Sequence, residues 1–265
     1  MSLVTQTRHG GALVIRYANP PIGTMTAAGA NEMLAVMEAA VADAQVRSIV
    51  ITGGMPDIFI RHYDVGELSA ASDALTDAPP PEPRPAGGRP GGGFGALVDL
   101  IAAAPKPVIA AINGLCMGGG FELSLACDIR IAGYTVSSIG LPETRVGIFP
   151  GGGGTQRLPR VIGEAKALEM ILRGLIVDGR KAAEIGLVHE AIEDPLTRAL
   201  EIAAEFDTRG AEGLAYAKRL TRAALDRPLA EGLADERRSF GEVMRTASAR
   251  EGLRNARPPA EVQNA

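Results

Sequence analysis

Two short stretches carry residue types and spacings suited to proton-transfer chemistry. The first is Gly118-Gly119-Gly120-Phe121-Glu122, which opens the helical-looking segment ELSLACD. Three glycines let a backbone approach a ligand with no Cβ in the way, and a helix start leaves several N–H groups without intrahelical partners. Such an end stabilises an anion, either a bound phosphate or the negative oxygen that develops when a polarised carbonyl becomes an enolate. A tight turn packed closely on a helix would use the same glycines. The second stretch is Leu141-Pro142-Glu143, followed by Arg145 to Pro150 and a glycine run through Gly154. A lone Pro-Glu on a loop is ordinarily a solvated charge. If the fold returns its strand beside the Gly118–Glu122 turn, however, both carboxylates reach one site, where unlike environments can separate them into acid and base.

The elements that must position these residues read as α/β. Ala12 to Tyr17 (ALVIRY) and Ser48 to Thr52 (SIVIT) have strand character. Between them, Thr26 is placed to cap a helix running to about Asp43, with Met33, Leu34, Met37 and Val41 on one face. Val108 to Ile112 and Ile129 to Ala132 are two more short apolar strands, the first entered through Pro105 and Pro107 and left through Asn113-Gly114. From about Thr197 onward the pattern is helical with no strand candidate. The chain therefore divides into a core over residues 1–196 and a helical region over 197–265. Ser69 to Gly95 contains PPPEPRP and GGRPGGG and is expected to be a mobile loop, serving as a linker or as a lid, because this composition buries too little apolar surface to offset ordering entropy.

Composition removes several classes of function. With 265 residues, 46% of them apolar, the chain can bury a sizeable core, and its net charge of −4 gives no long-range attraction for nucleic acid or an anionic membrane. Met1 to Gly10 has no basic stretch followed by an apolar run, and no segment approaches a membrane span, so a cytoplasmic location is expected. Cys116 and Cys127 read as buried reduced thiols, and His9, His62 and His189 share no metal-ligand spacing, so no metal site is expected. Neither glycine run is followed by the Lys-Ser/Thr of a P-loop or fits G-x-G-x-x-G, and the chain has no H-E-x-x-H or G-x-S-x-G.

The run PKPVIAAINGLCMGGGFELSLACDIRIAG, Pro105 to Gly133, resembles the core signature of the crotonase superfamily, also called the enoyl-CoA hydratase/isomerase family. Leu141-Pro142-Glu143 with FPGGGGTQRLPRVIG is similar to its second signature, Ser48-IVITGG to the strand before its first oxyanion loop, and Gly186-Leu187-Val188 to a later connector. The likeness covers roughly Ala12 to Asn255. It implies a core of repeated β-β-α units with a C-terminal helical region used in assembly as a homotrimer or homohexamer. The implied partner is an acyl-CoA thioester, with coenzyme A as part of the substrate and no further cofactor. Carried over by position, it puts oxyanion donors on the N–H groups of Tyr63 and Gly119, and the catalytic glutamates on Glu122 and Glu143. Substrate-binding positions fall on Thr24, Arg61, His62, Asp64 and Val65 in the first half of the chain. Leu115, Gly118, Pro142 and Gly151 complete them. The presence of both glutamates points to hydration of a trans-2-enoyl-CoA.

One loop departs from that pattern. Where relatives carry small residues in a Phe-Ser/Cys-Ala-Gly-Ala-Asp run, this chain has Phe59-Ile60-Arg61-His62-Tyr63-Asp64. A histidine in place of glycine forbids positive φ or narrows the acyl path. His62 is open to a catalytic or substrate-facing role and to a packed or solvent-facing one, and Arg61 to a coenzyme phosphate or a surface acid. The loop keeps two alternatives in view: another crotonase reaction, such as double-bond isomerisation, decarboxylation or carbon–carbon cleavage, and a non-catalytic acyl-CoA binder.

Overall fold

The apolar β-branched runs become strands that alternate between two sheets. The computed structural model describes residues 2–76 and 93–256. Strands β1 (Val4–His9) and β2 (Ala12–Tyr17) pair antiparallel around Gly10, whose φ of +59° suits the tight turn. Helix α1 (Ala27–Ala42) begins where the Thr26 hydroxyl accepts the Gly29 N–H at 3.1 Å, and it buries Met33 and Met37. Then follow β3 (Ser48–Gly53), β4 (Ile58–Ile60), α2 (Val65–Leu75) and α3 (Phe94–Ala103). After these come β5 (Val108–Ile112), β6 (Leu115–Met117), α4 (Gly119–Ala126), β7 (Ile129–Gly133) and β8 (Ile139–Gly140).

The pairs β3/β4, β5/β6 and β7/β8 each send their first member to a large sheet and their second to a small one before a helix follows. The large sheet has the order β1-β2-β3-β5-β7-β10 and the small one β4-β6-β8-β9, with β9 at Ile176–Val177 and β10 at Glu190–Ile192. From β2 to β10 the large sheet is parallel, with Val50 opposite Ile109 and Ala111 opposite Ile131. This is the repeated β-β-α arrangement that the sequence resemblance implies. The switch between sheets demands close backbone approach. A Cβ on Gly114 would lie 1.8 Å from the carbonyl carbon of Asp57, and Asn113 ties the corner by accepting the Gly53 N–H at 2.9 Å.

Both faces of the large sheet are covered, as a parallel sheet requires. Ile49 and Ile51 face Met33, Met37 and Ile101, while Val50 turns the other way with Val14, Ile109 and Ile131. That second face receives Ala199, Ala203 and Phe206 of α8 (Pro195–Asp207). A division at 196/197 therefore falls inside a helix that belongs to the packing of the core. The remaining connections are α5 (Gly154–Ile162), α6 (Glu164–Arg173) and α7 (Gly179–Glu184), and the chain continues through α9 (Ala211–Ala223), α10 (Leu229–Val243) and α11 (Ala247–Asn255). Asp128 anchors α9 by pairing with Lys218 and Arg222, both at 2.8 Å.

The expectation of a loop over Ser69 to Gly95 needs correction at both ends. Residues through Leu75 are helical because Asp64 caps α2, accepting the Glu67 N–H at 3.0 Å, and Phe94 and Gly95 already belong to α3. The Pro/Gly stretch between them, 77–92, lies outside the described residues.

Candidate active site

The glycine turn at the end of β6 aims the start of α4. Gly118 has φ +50° and ψ −128°, a backbone state that favours glycine. Its N–H donates to the Gly140 carbonyl of β8, and its carbonyl accepts the Glu122 N–H, both at 2.9 Å. A Cβ on Gly120 would lie 2.0 Å from the Ile60 carbonyl oxygen, so the helix start is pressed onto β4. A Cβ on Gly119 would meet Tyr63 Cβ at 3.2 Å and Tyr63 N at 3.4 Å. Two loops thus place the N–H groups of Gly119 and Tyr63 side by side, and neither donates to a backbone acceptor among the described residues.

Glu122 sits one turn into α4 and is only 3% exposed. Its Oε1 accepts the N–H groups of Gly152 at 2.7 Å and Gly154 at 2.8 Å. Glycine is needed at both positions: a Cβ on Gly152 would lie 2.7 Å from Glu122 Oε2, and one on Gly154 would lie 3.0 Å from Oε1. Burial raises the pKa of the carboxyl, while the Gly154 and Gly152 N–H groups and the charge of Arg157 oppose that rise. Arg157 reaches the loop itself, donating to the Gly152 carbonyl at 2.9 Å.

Glu143 opens a short 3-10 turn, Glu143–Val146, just after β8. Its carboxyl comes to the same glycine turn, with Oε1 3.4 Å from the point where a Gly118 Cβ would lie. Its Oε2 is buried with no hydrogen-bond partner. Burial, reinforced by the charge of Glu122, pushes this carboxyl up to about 7. The two carboxylates therefore differ as acid and base chemistry requires: one is gripped by two N–H donors, the other is poorly solvated and holds its proton near neutrality.

The other expected positions divide into four groups. His62 belongs to the site, its Cβ 3.5 Å from the Gly118 Cβ point. Thr24 and Asp64 are bound to each other, the Thr24 hydroxyl donating to Asp64 Oδ2 at 3.0 Å, and hold the loop from below. Pro142 precedes Glu143 at the start of its turn, and Leu115 pairs with Ile58 at the start of β6. Arg61, Val65 and Gly151 are exposed, and a Cβ on Gly151 would meet nothing within 4 Å. Sequence reasoning missed Gly152, Gly154 and Phe94. The Phe94 ring stands edge-on to Tyr63 at 5.6 Å and reaches both Gly119 and Gly152. The glycine run, tested against a phosphate loop and matched to the family's second signature, marked the region, but only Gly151 in it was named as a site position; nothing in the sequence singled out Phe94.

The profile of the enoyl-CoA hydratase/isomerase family matches residues 7–259. The chain belongs to that family. Its members act on acyl-CoA thioesters. It is 36% identical over 232 residues to the human mitochondrial methylglutaconyl-CoA hydratase, a match covering 84% of this chain and 65% of that protein. A probable enoyl-CoA hydratase of Bacillus subtilis is 34% identical over 248 residues, with 91% and 90% covered. Among solved structures, an enoyl-CoA hydratase from Bacillus anthracis superposes with a TM-score of 0.83 at 28% identity, covering 95% of each chain. Among the described residues, no helix is long and apolar enough to cross a membrane, and no group of three or more His, Cys, Asp or Glu could hold a metal ion.

Proposed function

We propose that the chain hydrates a trans-2-enoyl-CoA to a 3-hydroxyacyl-CoA. The observation that carries this reading is the pair of carboxyls in unlike environments around one glycine turn. The thioester oxygen accepts hydrogen bonds from the N–H groups of Gly119 and Tyr63, which stabilise the charge that grows there as the double bond is attacked. A well-placed donor of this kind is typically worth about 3 kcal/mol. Glu122, its Oε1 fixed by Gly152 and Gly154, holds a water with Oε2 and takes its proton as the hydroxyl adds to Cβ. Glu143, protonated near neutrality, supplies the proton to Cα. Water is consumed, the double bond is lost, and the proton taken by Glu122 restores the neutral Glu143 by way of solvent.

Loss of crotonyl-CoA absorbance tests this directly. Glu122→Gln and Glu143→Gln keep shape and should each lower the chemical step at least ~100-fold while coenzyme A still binds. The double variant should lose much less than the product of the two, because groups acting as a unit are not additive. Near-normal turnover in Glu122→Gln, with Glu143→Gln inactive, would replace hydration by a one-carboxylate crotonase reaction. Binding without turnover of any thioester in the wild type would favour a non-catalytic binder.

A further inference from the structure

The backbone of the loop that carries Tyr63 is tied down almost completely by other backbone. Arg61 donates to the Gly23 carbonyl at 2.9 Å and accepts from the Met117 N–H at 3.1 Å. The His62 carbonyl accepts the Met25 N–H, and the Asp64 N–H donates to the Met25 carbonyl, both at 2.8 Å. Three groups lie outside this net, the His62 N–H and the N–H and carbonyl of Tyr63, and buried backbone groups require partners. The carbonyl finds one in a side chain: the His62 ring nitrogen Nδ1 lies 2.7 Å from it. A carbonyl oxygen can only accept, so Nδ1 must carry a proton.

We propose that His62 is a positioning residue, its imidazole holding the Tyr63 carbonyl so that the peptide carrying the Tyr63 N–H keeps that donor aimed at the substrate. The proposal rests on the assignment of that N–H to the thioester oxygen. Met25 fixes the plane of the His62–Tyr63 peptide, Asp64 fixes one side of the next, and the ring joins the two planes across Tyr63. This accounts for the chain's departure from the small residues of its relatives. A backbone crowded by a tyrosine at 63 keeps its geometry through a side-chain hydrogen bond. The His62 Cβ stands beside Gly118, 3.5 Å from the point that Glu143 Oε1 approaches to 3.4 Å, so the residue also lines the wall near the proton donor.

Three variants separate this role from proton transfer. An asparagine amide reaches about where Nδ1 stands, whereas a glutamine amide reaches about where Nε2 stands. His62→Ala and His62→Gln should lower kcat for crotonyl-CoA by roughly 10- to 100-fold with little change in KM, because a displaced oxyanion donor is felt mainly in the transition state. His62→Asn should recover to within a few-fold of wild type. The carbonyl stretch of bound butyryl-CoA should be shifted to lower frequency in the wild type, less in His62→Ala, and again fully in His62→Asn. Nitrogen-15 NMR of the free protein should show His62 protonated at Nδ1. A ring protonated only at Nε2, or a His62→Asn variant as impaired as His62→Ala in the carbonyl shift, overturns the proposal. Should the wild type not turn over crotonyl-CoA, the hydration reading falls, but the carbonyl shift and the tautomer still decide the role of His62. Absence of any carbonyl shift in the wild type removes both the Tyr63 donor and the proposal.

Discussion

Glu143 carries a carboxyl that folding discourages from ionising, so its cost should appear as a pH-dependent stability that a neutral amide lacks. The group rises from an ordinary 4.5 to about 7, through burial first and the charge of Glu122 in addition. A folded value above the unfolded one means that the native state holds the proton longer. The stability associated with it is complete below about 4.5 and is lost as pH climbs through about 7. At about 1.4 kcal/mol per tenfold change in proton affinity, that interval corresponds to roughly 3 kcal/mol, a ceiling that screening through the partly open site brings to about 1–3 kcal/mol. Glu143→Gln removes the titration. The amide still leaves a buried polar atom without a partner where Oε2 now lies, but that penalty is the same at every pH. It cancels when variant and wild type are compared at about pH 5 and again at about pH 8.5. Urea unfolding at equal protein concentration should show the variant gaining about 1–3 kcal/mol on the wild type between the two conditions. The same substitution should lower turnover at least ~100-fold, because a strained acid is useful where it is costly. A stability difference that stays flat with pH would refute the reasoning, since it would mean that Glu143 ionises in the folded protein as easily as in the unfolded one.

Gly152→Ala should cost ~1–3 kcal/mol of stability and on the order of 100-fold in turnover although it alters no titratable group, because its Cβ would lie 2.6 Å from Phe94 Cε1 and 2.7 Å from Glu122 Oε2. Thermal melts and kcat check it, and a fully active variant would mean that Glu122 needs no fixed position. In the hydration direction, kcat/KM should fall as pH rises above about 7, where Glu143 loses the proton it must donate, and Glu143→Gln should show no such limb in its residual activity. The exposed apolar residues Leu225, Leu229, Phe240 and Met244 fit the proposal of a trimer or hexamer. Sedimentation at micromolar concentration should find one, and a clean monomer would sink that proposal while leaving the fold untouched.

What the sequence makes legible here is what short-range chemistry determines. Val108 to Ile112 is a strand over the residues that Pro107 and Asn113-Gly114 bracket, and α1 starts at Thr26 because a hydroxyl there satisfies a free N–H. The meeting of Glu122 and Glu143 at one turn was open to inference because a strand that returns beside a glycine-lined helix start leaves few other places for the second carboxylate. The grip on Glu122 was not open in that way: its donors lie 30 and 32 residues further along the chain. A run of four glycines looks the same whether it cradles a phosphate or approaches a carboxylate; only tertiary packing chooses, and it chose a side chain of the protein itself. The helix α2 was hidden because Pro/Gly composition was averaged over a window whose first residues are good helix formers capped by Asp64. The His62 contact is the reverse case. It spans one residue, yet it depends on a ring orientation that makes sense only once the backbone ties of Arg61, His62 and Asp64 to neighbouring strands are known. Local pattern locates the chemistry in this chain, whereas the state of each group, which carboxyl holds a proton and which N–H remains free, is set by what the rest of the fold has already used.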